Sequence, residues 1–160
     1  MENNIYQVIR VGKWNLFDLN GVCKTLYLSG KDMVKRYNLS HWNNSYFKEW
    51  IIVLLCNLRN DIYLVKNEKN VVATFQISRG GNELSFSKLA TNPEFLGKGI
   101  GSFCLEKIEN IAKEMQCHSV ICEVYNQSQH AKCFYEHRGY VVYGMTDTLK
   151  YKEFKMKKVI

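Results

Sequence analysis

Glycine stands at every second position from 97 to 101 in Pro93-Glu94-Phe95-Leu96-Gly97-Lys98-Gly99-Ile100-Gly101-Ser102, and this run constrains the chain more than any other. It follows a strand-like stretch and opens a long amphipathic one. Glycine is a poor helix former, so its use at a helix start needs a reason. Without a Cβ, backbone amides can be approached closely. The first turn of a helix also offers N–H groups without carbonyl partners and a partial positive charge. A bulky anion such as phosphate is the expected guest.

The helix itself is well marked. Ile100, Cys104, Ile108, Ile111 and Met115 recur at spacings of three and four, with Phe103 and Ala112 beside them. Glu106, Lys107, Glu109, Asn110, Lys113 and Glu114 supply polar faces, which is the helical period. Glu83 to Thr91 reads as the preceding strand, and Pro93 discourages an earlier helix start. Downstream, Ser119 to Tyr125 reads as a strand, Gln129 to His137 as a short helix and Tyr140 to Tyr143 as another strand.

Three phosphate-binding patterns compete for the glycines. A P-loop requires Gly, four residues, then Gly-Lys-Ser/Thr; here Gly99 follows Lys98, and no such string occurs in the chain. A dinucleotide fingerprint requires G-x-G-x-x-G/A, and Ser102 occupies its last place. Glu123 lies about 20 residues further on, where a ribose-binding acid would stand, but too little chain follows for a second mononucleotide half. In the third pattern, Gly97-Lys98-Gly99-Ile100-Gly101 resembles the pyrophosphate loop of the GNAT N-acetyltransferase superfamily, Gln/Arg-x-x-Gly-x-Gly/Ala. Leu89 to Phe95 resembles the strand end and turn leading into it. Ala131, Phe134-Tyr135-Glu136 and Arg138-Gly139-Tyr140 resemble the superfamily's acyl-CoA-side helix and its ending. The likeness runs from about Asn82 to Tyr143. Leu96 departs from the usual Gln or Arg, and Ser128 from a common Asn, although a serine hydroxyl still donates one hydrogen bond.

The resemblance implies an α+β fold, a mixed and mostly antiparallel twisted sheet of about seven strands with helices on both faces. It implies that strands 83–91 and 119–125 part to admit a pantetheine arm. It implies acetyl-CoA as co-substrate, and direct attack by a primary amine, from a small molecule or a protein, within a ternary complex. The amides of Gly97, Lys98, Gly99, Ile100, Gly101 and Ser102 would hold the diphosphate, with Lys98 as a nearby charge. The strand edge at Leu89, Ala90 and Thr91 would pair with the arm and polarise the thioester carbonyl. Ser128 would add a contact to the cofactor. Tyr135, protonated at neutral pH, would return a proton to the leaving thiolate. Glu123, twelve residues earlier (135 minus 123), would take the amine proton through water. An apolar setting would raise its pKa toward neutrality. Glu83 and Ser85 are its rivals.

Composition narrows the rest. The chain has 160 residues, 46% of them hydrophobic and 23% charged, which suits one domain spanning 1–160 with a real core. Its longest apolar run, Trp50 to Cys56, is far below the ~20 residues that cross a bilayer, and Met1 to Asn4 does not begin a signal peptide. A cytoplasmic protein without a membrane partner is expected. Cysteines 23, 56, 104, 117, 122 and 133 sit in apolar patterns without framework spacing and read as thiols. His130, Cys133 and His137 share a helix face but lack the spacing of a metal site, so no metal is expected. A net charge of +7 raises nucleic acid as a partner, yet the basic residues are scattered and coenzyme A is itself a polyanion. A basic nucleic-acid-binding domain and a non-catalytic acyl-CoA-binding module are the alternatives. The oligomeric state stays open, a homodimer included.

Before the glycines, Ile5 to Val11 reads as a strand. Asp18 to Tyr37 reads as two short helical stretches broken near Ser29-Gly30. Ser45 caps a helix to Leu58 with Phe47, Trp50, Ile51, Leu54, Leu55 and Leu58 inward. Ile62 to Val65 and Val71 to Ser78 read as strands, with a hairpin turn at Arg79 to Asn82. The predicted order is β-α-α-β-β-β-α-β-α-β-β. His41, Trp42, Tyr46, Tyr143 and Asp147 are candidates to line the acceptor pocket.

Overall fold

A computed structural model describes residues 6–160; the readings made on Met1 to Asn4 and on Ile5 lie outside them. Seven strands are β1 (Tyr6–Arg10), β2 (Asp61–Asn67), β3 (Asn70–Gly80), β4 (Glu83–Thr91), β5 (Ser119–Tyr125), β6 (Val141–Asp147) and β7 (Lys152–Val159). They form one sheet in the order β1-β2-β3-β4-β5-β7-β6. The four helices are α1 (Leu16–Tyr37), α2 (Tyr46–Arg59), α3 (Ile100–Glu114) and α4 (Gln129–Glu136). Pairing is antiparallel for β1–β2, β2–β3, β5–β7 and β6–β7, and parallel for β4–β5. This is the expected mixed sheet, in the element order read from the sequence.

The chain divides into two compact units, residues 1–77 with 88–106 and residues 78–87 with 107–160. In the first, Val11, Leu19, Val22, Cys23, Leu26, Val53, Ile62, Leu64 and Ala90 form one hydrophobic cluster, with Trp50, Leu54, Cys56 and Val71 packed on it. The predicted break in the first helix does not occur. The helix α1 runs unbroken through Ser29-Gly30. A Cβ at Gly30 would lie 2.7 Å from the Trp42 carbonyl oxygen. This glycine therefore admits a neighbouring backbone rather than ending a helix.

The helix α2 corrects a second expectation. Ser45 caps it as read, accepting from the Lys48 N–H at 3.2 Å. Its inward face, however, carries Glu49, Val53 and Asn57, whereas Phe47, Ile51, Leu55 and Leu58 are exposed. Buried Glu49 accepts from the Asn44 amide, and the Asn57 amide donates to the Gly12 and Lys13 carbonyls. These polar anchors set the rotation of a helix whose apolar residues run all the way round.

In the second unit, β5 pairs along its full length with Glu153 to Val159 of β7, and the Val120, Cys122, Val124 and Met156 side chains are buried. Tyr140 is buried to 1% exposure. Its hydroxyl donates to Glu109 at 3.3 Å, and Lys158 donates to both oxygens of the same carboxylate at 2.9 and 2.8 Å. Along β7 the Met156 side chain alone is fully buried, between half-buried neighbours.

Candidate active site

The glycine turn is built from its flanks inward. At the end of β4, the Asn92 N–H donates to the Val72 carbonyl at 2.8 Å, and the Asn92 side chain accepts from the Glu94 N–H at 3.2 Å. That starts a single 3₁₀ turn, Pro93–Phe95, which delivers the chain to Gly97. Gly97 and Gly99 adopt φ of +76° and +75°, a left-handed conformation that side chains with a Cβ resist. A Cβ on either would meet nothing within 4 Å. Neither glycine is needed to relieve a clash; both bend the backbone beneath open space. The first bond reaching back into the turn runs from the Phe103 N–H to the Gly99 carbonyl at 3.0 Å. The Ile100 and Gly101 amides, at the start of α3, have no carbonyl one turn behind them. Lys98 is exposed, its ammonium 5.1 Å from the centre of the Phe95 ring. Ile100 is buried at 2% exposure and anchors the helix start.

Just before the turn, Lys88 has φ of +52° in the middle of β4. Such a backbone is uncommon for a residue with a side chain and redirects those that follow: Leu89, Ala90 and Thr91. The parallel ladder between β4 and β5 covers four pairs and ends at Phe86 and Cys122, although β4 continues to Thr91 and β5 to Tyr125.

In the second unit, α4 carries Tyr135. Its ring meets Phe86 edge-on at 5.6 Å and lies 5.8 Å from Tyr140. Ser128 precedes α4 and is buried, and its hydroxyl makes no capping bond to that helix. Phe86 is paired with Cys122, so Tyr135 packs on the Cys122 face of the sheet. Adjacent strand residues point to opposite faces. Glu123 therefore projects from the other face, where it is exposed and accepts from the Thr146 hydroxyl at 2.6 Å. The apolar setting anticipated for Glu123 is absent.

That second face holds residues the sequence reading did not single out. Tyr125 pairs in register with Glu153, and Glu153 with Thr146. Tyr125 and Tyr151 meet edge-on at 5.6 Å. Burial, and then the nearby Glu123, raise the Glu153 pKa above the usual carboxylate range. Among the described residues, neither carboxylate is in an ion pair. The available signal was Glu153 as the one acid in Lys-Glu-Phe-Lys-Met-Lys-Lys-Val. Glu83, a rival base, is engaged otherwise. The Lys157 ammonium at 2.6 Å and the Ser119 hydroxyl at 2.9 Å hold its pKa below the usual range.

The cysteines are all free thiols. Burial pushes Cys104 and Cys122 up to about 12, and Cys23 to about 11, so none of these three is a thiolate at neutral pH. Among the described residues no group of three His, Cys, Asp or Glu gathers to hold a metal, and no helix is long and apolar enough to cross a membrane.

The sheet is open and mixed, and its one parallel pair stops short ahead of a left-handed glycine turn at a helix start. The family model described as Acetyltransferase (GNAT) family matches residues 27–140, and the chain belongs to that family. Solved structures share its fold. PaiA N-acetyltransferase from Thermoplasma acidophilum, in complex with coenzyme A, superposes with TM-score 0.79 at 18% identity, over 98% of this chain and 99% of that one. The ribosomal-protein-S18-alanine N-acetyltransferase from Escherichia coli gives 0.72 at 14%, over 98% and 94%. A GNAT family acetyltransferase from Elizabethkingia anophelis with acetyl-CoA bound gives 0.70 at 12%, over 99% and 100%. No curated protein sequence matches this chain significantly.

Proposed function

We propose that this chain is an N-acetyltransferase that moves the acetyl group of acetyl-CoA to a primary amine by direct attack in a ternary complex. The observation that carries the reading is the pair of left-handed glycines at 97 and 99 beneath open space at the start of α3. Bare amides at a helix N-terminus suit a diphosphate. The amides of Gly97 to Ser102 hold it, with Lys98 as a point charge. Backbone donors at Leu89 to Thr91 meet the pantetheine arm and the thioester oxygen, and Ser128 contributes its hydroxyl.

The acceptor arrives as an ammonium and gives up a proton to Glu123 through water. Its nitrogen lone pair attacks the thioester carbonyl carbon. The carbon–sulfur bond then breaks as the nitrogen loses its second proton; Tyr135 protonates the departing thiolate, and the nitrogen's proton, passed on through water, restores the phenol. The products are an amide and the free thiol of CoA. A cationic acceptor also suits the two carboxylates, Glu123 and Glu153, that have no internal cation. The high thiol pKa values of Cys23, Cys104 and Cys122 favour direct transfer over an acyl-cysteine intermediate. Free thiols throughout fit a reducing, cytoplasmic setting.

Two measurements test this. Acetyl-CoA at 100 times its Kd adds about 2.7 kcal/mol to stability and raises the melting temperature. Thiol release from acetyl-CoA then depends on an added amine. Stabilisation without thiol release across a broad amine panel would leave a non-catalytic acyl-CoA-binding module; no stabilisation would end the proposal.

A further inference from the structure

We infer that Thr146 is a positioning residue for Glu123, its hydroxyl holding one carboxylate oxygen so that the other receives the acceptor's proton. The inference rests on the role of base proposed above for Glu123. The Thr146 Oγ1 donates to Glu123 Oε1 at 2.6 Å. This bond crosses a strand: Glu123 lies on β5 and Thr146 on β6, with β7 between them. Only side chains on one face of a sheet can meet in this way.

A register shift brings Thr146 to that face. Val141 and Val142 pair with Lys157 and Met156, but the next pair is Gly144 with Lys155. Tyr143 is the extra residue of a bulge. Without it the ladder would set Met145 opposite Glu153 and Thr146 opposite Lys152, turning Thr146 away from Glu123. With it, Thr146 stands opposite Glu153, in line with Tyr125 and next to the Glu123–Lys155 pair. Bulges commonly re-aim a side chain beside a site of chemistry. The same shift puts Gly144 beside Lys155, whose Cδ is 3.8 Å from where a glycine Cβ would stand. The lysine chain passes over the bare glycine, and the hydroxyl reaches Glu123 instead.

Threonine suits this task. A glutamate at an exposed strand position has several rotamers, and ordering it costs entropy. Threonine is branched at Cβ and has few χ1 states, so on a paired strand its hydroxyl is a rigid donor. It has one proton to give. Oε1 is thereby engaged, and Oε2 takes the proton that leaves the ammonium through water. Within this unit, the ionisable groups sharing the face are Tyr125, Glu153 and Lys155, with Tyr151 edge-on to Tyr125. Further along, Lys157 is paired with Glu83 at 2.6 Å and lies 5.8 Å from the Tyr143 ring centre.

The test is the pH dependence of turnover in two variants, with acetyl-CoA and the primary amine on which the wild-type chain releases most thiol. Thr146→Val keeps the shape and the branch but has no donor. Its kcat is expected to fall at least about tenfold, with the acetyl-CoA KM within about twofold of wild type. The acidic limb moves to higher pH, because a donor favours the ionised carboxylate and has been lost. Thr146→Ser restores the limb and most of the turnover. On a Glu123→Gln background, Thr146→Val costs no more than about a further twofold. Wild-type turnover with an unmoved limb in Thr146→Val overturns the inference. So does an equal loss in the valine and serine variants, or a loss that persists in full on Glu123→Gln. Failure of the parent reading looks different: no thiol release with any amine, or wild-type turnover in Glu123→Gln itself, removes the base and this inference with it.

Discussion

Tyr135 and Glu123 stand on opposite faces of one sheet. The tyrosine ring packs edge-on to Phe86 at 5.6 Å, on the side where Cys122 is buried. The carboxylate is turned the other way, toward Thr146 at 2.6 Å. In the proposed reaction this separation would leave the phenol to the departing thiolate and the carboxylate to the incoming amine.

Tyr135→Phe removes the hydroxyl and keeps the ring that packs on Phe86. Turnover is expected to fall about 100-fold, the lower range for a positioned general acid. Acetyl-CoA affinity, read by calorimetry, stays within about twofold. Turnover equal to wild type would remove the assigned role.

Glu123→Gln keeps the shape and the acceptor oxygen for Thr146 but cannot take a proton. The acidic limb of the pH–rate profile should disappear or shift with this substitution. An unaltered profile would direct attention to Glu153, whose pKa burial and Glu123 together raise.

Gly99→Ala places a Cβ at φ of +75°. Nothing lies within 4 Å to clash with it, so the cost is backbone strain of about 1–2 kcal/mol. Denaturant unfolding measures that loss. Acetyl-CoA affinity should fall further than stability alone explains, because the methyl occupies the space above the amides.

Glu83→Gln tests a pH dependence. The folded-state pKa of Glu83 is depressed, chiefly by the hydrogen bond from Lys157 and then by that from Ser119. Its stabilisation is therefore present above the unfolded carboxylate pKa and is lost as pH falls through the lower folded value. At pH 7 the variant should be less stable by at most about 1 kcal/mol, since the pair is partly exposed and screened. The difference should close at strongly acidic pH. A gap that persists there would mean a packing effect instead.

Gly30→Ala should destabilise the first unit by about 1–3 kcal/mol, because the new Cβ would lie 2.7 Å from the Trp42 carbonyl oxygen. Unchanged unfolding would show that the backbone there yields easily.

Much of this was legible in the chain. Glycines at alternate positions announced the turn, and the stripe from Ile100 to Ala112 announced α3, because both are local patterns. The rotation of α2 was not legible. A helix apolar on every side has no face its periodicity can select, and the deciding contacts of Glu49 and Asn57 reach Asn44, Gly12 and Lys13. The continuity of α1 was hidden for a similar reason: Gly30 is explained by a carbonyl twelve residues away in sequence (42 minus 30). At the site, strand alternation placed Glu123 on a face but could not say whether that face is covered. The significance of Glu153 depends on the register that sets it opposite Tyr125 and Thr146.

The cluster of Lys158, Glu109 and Tyr140 has a practical corollary for anyone handling the protein. Val159 is still in register with Ser119, and the Ile160 N–H still donates to the His118 carbonyl at 3.1 Å. Loss of Lys158 would strip Glu109 of its ammonium partner and leave an uncompensated carboxylate hydrogen-bonded to a buried phenol.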